Sequence, residues 1–145
     1  MRPEIKNIIG GVAGAVILNL VHETAKRLSN KAPRVDLVGE EALSKTISAA
    51  GFTPPTGNKL FLSTLAADVT SNAAYYAMIG KGDRDTILIR GAGYGLMAGL
   101  GAIGLTKPLG LDDKPVNKTD ETKFLTVAWY LIGGLATALV IKNLK

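Results

Sequence analysis

The chain has 145 residues, no cysteine, one histidine and a net charge of +5, with a pI near 9.5. Without cysteine there are no disulfides and no thiolate metal sites, and dispersed basic residues with scarce aromatics and no binding motif argue against a nucleic-acid partner. Mean hydropathy is only +0.22 and 20% of residues are charged, yet the charges gather between apolar windows, so the average conceals a chain of two phases.

Four such windows, of about 18 to 21 residues each, lie between Lys6 and Lys26, Lys59 and Lys81, Asp85 and Lys107, and Lys123 and Lys142. Each is long enough to cross a hydrocarbon core of roughly 30 Å as a helix. Lipid cannot satisfy backbone polar groups, so the expected fold is all-α. The chain reads as a single integral membrane domain over 1–145, a compact four-transmembrane-helix bundle with spans near 7–25, 60–80, 86–106 and 124–141. A soluble helical domain would need a polar stripe on each helix, and the run from Phe124 to Ile141 has no charged face.

The first span follows Arg2 and Lys6 as a secretion signal would, but the small-x-small site Ala13-Gly14-Ala15 falls inside the apolar run, so it reads as uncleaved. Its helix continues through Glu23 to Ser29 and stops before Pro33. Between the first and second spans, Val38, Ala42, Leu43 and Ile47 recur at helical spacing opposite Glu40, Glu41 and Lys45, which predicts a short amphipathic helix at the membrane interface. Pro54-Pro55-Thr56-Gly57 marks the turn into the second span. Gly80-Lys-Gly-Asp-Arg-Asp85 is a tight turn, so the second and third helices are expected to be antiparallel neighbours. The stretch from Lys107 to Lys123, with Pro108, Gly110 and Pro115, reads as an ordered or partly ordered surface loop; its Asn117-Lys-Thr119 glycosylation triplet is too common to use.

Helix contacts are expected along small residues: Gly91, Gly95 and Gly99 on the third span, Gly10 and Gly14 on the first, Ser63, Ala67 and Ser71 on the second, and Gly134 with Ala138 on the fourth. Such positions let backbones approach closely where lipid removes the hydrophobic drive for association. The runs Ile8-Ile-Gly-Gly-Val and Leu131-Ile-Gly-Gly-Leu resemble each other, and low complexity is the plainer account than an inverted repeat.

Intramembrane polar residues are the only candidates for chemistry, because each costs about 2.5–3.5 kcal/mol on insertion scales. The candidate site comprises Asp68, Asn72, Tyr75 and Tyr76 on the second span, Asn19, His22 and Glu23 on the first, and Arg90 on the third. At about 1.5 Å per residue, Asp68 and Asn19 lie roughly 12 and 10 Å below the same surface, so their stripes can meet, while Arg90 enters from the opposite side. Asp68 must be protonated, paired or hydrated, with Asn19, Asn72 and Arg90 as possible partners. Arg90 is expected to snorkel or stack on a tyrosine, and His22 and Glu23 to be solvated among headgroups, Glu23 pairing with Lys26 or Arg27.

Catalytic and cofactor motifs fail on inspection. The run Thr86–Leu96 imitates a dinucleotide-binding turn, but Leu96 stands where the third glycine is required. His22-Glu23 opens the helical zinc-protease pattern, but Lys26 replaces its second histidine. No metal site, cofactor or catalytic residue is therefore expected. The leading functional reading is a non-catalytic structural or accessory subunit of a membrane assembly. The alternative is a small oligomeric transporter or channel with a polar pathway around Asp68, and a third is an enzyme acting on a lipid headgroup. The expected partners are a bilayer with anionic headgroups and other membrane subunits or further copies of the chain. The expected location is a bacterial cytoplasmic membrane, with basic residues favouring a cytoplasmic side for the long connectors.

Overall fold

The computed structural model describes residues 1–144. It is helical, with no strand among the described residues: α1 Pro3–Leu28, α2 Val35–Ala49, α3 Gly57–Ala77, α4 Ile87–Gly104, α5 Lys114–Asn117 and α6 Asp120–Asn143. The helices begin and end where local chemistry dictates. Pro3 starts α1, where its missing N–H costs nothing. Thr119 caps α6 by accepting from the Thr122 N–H, and Asp120 and Glu121 sit at the positive end of its dipole. Two 3₁₀ turns, Met78–Gly80 and Arg84–Thr86, join α3 to α4, and Gly82 between them has φ +116°, a conformation that favours glycine.

Three helices are long and apolar enough to cross a membrane: Pro3–Leu28, Arg84–Gly104 (α4 with its preceding turn) and Asp120–Asn143. Their outward faces carry exposed apolar side chains, among them Ile8, Leu20, Ile89, Met97 and Phe124. Helix α3 has the length, 21 residues, but not the apolar character. Lys59, Thr64, Asp68, Thr70, Ser71 and Asn72 dilute it.

The four long helices form a row, α3–α1–α6–α4, in which each packs antiparallel to the next. This corrects the expectation that α3 and α4 are packed neighbours. Their backbones barely touch, and they meet through tyrosines: the Tyr75 hydroxyl donates to the Tyr94 carbonyl at 3.0 Å and the two rings lie 5.2 Å apart. Below that bridge the helices leave an open, mostly apolar groove of about 430 Å³ between Asn72, Met97, Ala98, Leu105 and Tyr130. A tight turn fixes that two helices are close at one end, and the faces of the helices decide the rest.

The inner helices α1 and α6 each need two close faces: a glycine pair supplies both on α1, and on α6 Gly134 supplies the face toward α4 while the Gly133 carbonyl lies against Gly14 of α1. Gly10 faces Ile141 and Thr137 of α6, whereas Gly11 faces Ala73 and Ala77 of α3. On α6, Gly133 lies against the Tyr76 ring of α3 and Gly134 against Gly91 and Gly95 of α4. The likeness of the two Ile-Gly-Gly runs thus has a packing reason, a shared inner position in the row. At Gly95 a methyl group would stand 2.7 Å from Leu131 Cα and Tyr130 O, and at Gly99 it would stand 2.7 Å from Val127 Cα. The expected small stripe on α3 is a second correction. Ser63, Ala67 and Ser71 are exposed, and α3 instead packs through Thr64, Asp68, Ala73 and Tyr76.

Helix α2 has no fully buried residue and lies against α3, along the segment expected to be amphipathic. The third connector is ordered and carries a short helix that its prolines and charges did not suggest. Its short α5 buries Val116, and Pro115 O accepts from the Arg34 N–H at 2.9 Å, tying it to the first connector.

Candidate functional site

The polar stripes of α1 and α3 face one another and are roofed by the start of α2. At the centre is Asp68. Asn19 Nδ2 donates to Asp68 Oδ2 at 2.9 Å, and Asn72 Nδ2 donates to Asp68 Oδ1 at 2.9 Å. Asn72 lies one helical turn beyond Asp68, so their bond follows from i,i+4 geometry. The bond from Asn19 joins two helices and needs the antiparallel packing of α1 on α3.

Toward the surface the chemistry turns ionic. Lys26 Nζ sits 2.6 Å from Glu23 Oε1 and 3.2 Å from Asp36 Oδ2, and it stands 4.9 Å above the Phe61 ring. Arg34 grips the same Asp36 with Nε at 2.9 Å and Nη2 at 2.8 Å. Burial pushes the Asp36 carboxyl up, but the Arg34 hydrogen bonds and the Lys26 charge outweigh it, so its pKa falls below the ordinary 3.8.

Between these layers lies a small cavity of about 30 Å³, lined by Asn19, His22, Thr64, Asp68, Asp36 and Gly39 with apolar neighbours. That is room for about two waters. Two of its walls bear polar atoms with no partner: His22 Nε2 and Thr64 Oγ1 are fully buried and form no hydrogen bond. His22 is 8% exposed and Thr64 5%. This corrects the expectation of a solvated histidine. The ring packs edge-on against Tyr130 at 5.8 Å, because α1 turns this position inward between α3 and α6. Glu23 is partly exposed and pairs with Lys26 rather than Arg27.

The remaining expected residues lie elsewhere. Arg90 does not reach Asp68. It donates from Nε to Ile79 O at 2.9 Å and from Nη1 to Asp83 O at 2.8 Å and Thr86 Oγ1 at 2.6 Å, closing the turn between α3 and α4. Tyr75 bridges α3 to α4, and Tyr76, fully buried, donates to Tyr130 O at 2.8 Å. Three participants were not singled out in the sequence. Thr64 lies four residues before Asp68 on the same face, a spacing that could have revealed it. Asp36 and Arg34 come from a connector, where no periodicity points to them.

Among the described residues no three His, Asp or Glu side chains converge as a metal site would require. No protein-family model matches the chain, and neither a curated protein nor a solved structure matches it.

Proposed function

We propose that this chain is a non-catalytic subunit of a membrane assembly, built as a four-span bundle with glycine seams, in which α3 is the fourth span and the side that meets a partner. One observation carries the reading. Helix α3 closes one end of the row, and beyond the exposed Leu62 its outward face presents Ser63, Ala66, Ala67, Thr70, Ser71 and Ala74. Lipid favours large apolar side chains, whereas contacts between helices inside a membrane favour small and hydroxyl-bearing ones. The outward faces of α1, α4 and α6 carry the large side chains. The inner chemistry also supports a structural role, since both Asp68 oxygens are bonded at a helix junction and the cavity beside them is too small to pass a solute.

The membrane is proposed to be a bacterial cytoplasmic one with anionic headgroups, and the long connectors are placed on the cytoplasmic side. The exposed Lys45, Lys107, Lys114 and Lys123 there suit an anionic surface. The test is native mass spectrometry of the tagged full-length chain extracted from its own membranes in mild detergent. A complex with other subunits, or with further copies, that Ala67→Leu and Ser71→Leu dissociate supports the reading. A monomer, or a complex untouched by both changes, overturns it.

A further inference from the structure

We propose that the cavity between α1, α2 and α3 is a binding site for a small monovalent cation, sodium or a proton carried on water, held against the Asp68 carboxylate. The charges around it are unbalanced. Glu23, Asp36 and Asp68 face it, and Lys26 is the cation among its lining residues. Lys26 is occupied by Glu23 and Asp36, and Asp36 is gripped by Arg34 as well. Asp68 receives only two neutral amides, from Asn19 and Asn72. Arg90, the cation that could have neutralised it, is committed to the far turn. A carboxylate below a membrane surface with no opposite charge calls for a cation or a proton.

Apart from the two donating amides, the polar atoms that share the cavity with Asp68 can accept. Asn19 uses its amide nitrogen on both Ala15 O and Asp68 Oδ2, so its carbonyl oxygen is the end left to accept. His22 Nε2 and Thr64 Oγ1 are buried without partners in side chains that line the same cavity. One carboxylate, an amide oxygen, a hydroxyl and an imidazole nitrogen suit a singly charged ion or a hydrated proton. The convergence of carboxylates that a divalent ion demands is missing among the described residues. The volume of about 30 Å³ admits an ion with one water, or two waters. A methyl at Gly39 would come 2.8 Å from Thr64 Cγ2, so α2 sits close over Thr64 and restricts access from the surface.

The experiment is thermal unfolding of the purified full chain in detergent at constant ionic strength. Sodium, potassium and choline chlorides are compared at pH 8, and a choline series is run from pH 8 to pH 5. The titratable groups facing Asp68 are His22, Glu23, Lys26 and Tyr130 from α1 and α6, Asp36 from α2, and Tyr76 on its own helix, so each series is repeated in Asp68→Asn. If sodium occupies the site, it raises Tm by about 4 °C at ten times its dissociation constant, and Asp68→Asn abolishes the response. If a proton occupies it, sodium and choline give equal Tm, and lowering the pH raises Tm in the parent but not in Asp68→Asn. Thr64→Val keeps the charge and is read alongside in case Asp68→Asn does not fold; it shifts the sodium midpoint upward about tenfold, or reduces the rise in Tm on acidification. A parent protein indifferent to both sodium and pH, or one whose response both variants retain in full, overturns the proposal.

Discussion

Asn19 and Asp68, 49 positions apart in sequence, are joined by a 2.9 Å hydrogen bond that ties α1 to α3 where both side chains are partly buried. The bond does not neutralise Asp68, but it fixes where the carboxylate points. Interhelical bonds of this kind contribute about 0.6 kcal/mol on average and up to about 1.7. Asn19→Ala is expected to lower stability by about 1 kcal/mol, and its effect in an Asp68→Asn background should be smaller. A double-mutant cycle by denaturant unfolding in mixed micelles checks this, and strict additivity would remove the clasp.

Close backbone approach at Gly95 gives a second expectation. A side chain there meets Leu131 Cα and Tyr130 O, which cannot rotate away, so Gly95→Val should force α4 off α6 and cost roughly 2–3 kcal/mol. Gly93 on the same helix meets nothing within 4 Å, and Gly93→Ala should be neutral or slightly stabilising. Unfolding midpoints of the pair, measured side by side, decide whether the glycines act through contact or through composition.

Tyr76 is buried, and its hydroxyl donates to the Tyr130 carbonyl across helices that are otherwise only lightly in contact. Tyr76→Phe keeps the ring against Gly133 and deletes only the donor. A loss of about 1–1.5 kcal/mol is expected. Tyr75→Phe, on a half-buried bridge to Tyr94, should cost less, and equal losses would contradict the burial argument.

The grip on Asp36 predicts how α2 responds to acid. Its folded pKa lies below 3.8, the ordinary carboxylate value, so its contribution is complete above that value and is lost as pH falls through the lowered one. Protection of the Val35–Ala49 amides should therefore hold at pH 5 and weaken below about pH 4. Asp36→Asn should weaken that protection already at pH 7, by about 1 kcal/mol, because Lys26 and Arg34 lose their shared partner. Hydrogen exchange resolved by peptide, in detergent, separates this local loosening from global unfolding.

Much of the architecture could be read from hydropathy. The long helices fall on the four apolar windows, and α2 covers the Val38–Ile47 repeat, because the period of apolar residues acts locally. The meeting of the Asn19 and Asp68 stripes was also legible, since rise per residue sets depth independently of the neighbours. The order of the row was not. The tight turn at Gly80–Asp85 suggested α3 beside α4, and the outcome depended on Gly10 and Gly11 giving α1 two close faces, and on Gly14 and Gly134 letting α6 lie close to α1 and α4. Likewise Ser63, Ala67 and Ser71 looked like a packing stripe by composition, but small residues suit either a helix contact within the bundle or an exposed face. Helix rotation chose the latter.

By itself the sequence determined where the long helices run and the level of each polar group along its helix, although it counted four apolar spans where three helices are apolar enough to cross a membrane. Tertiary structure alone decided the neighbours: that His22 is buried, that Arg90 closes a distant turn, and that Asp36 from a connector joins Lys26 above the cavity. Secondary structure and depth follow from properties summed along one segment, whereas partner choice follows from close contact between surfaces far apart in the chain, where a rotation of a few tens of degrees exchanges one partner for another.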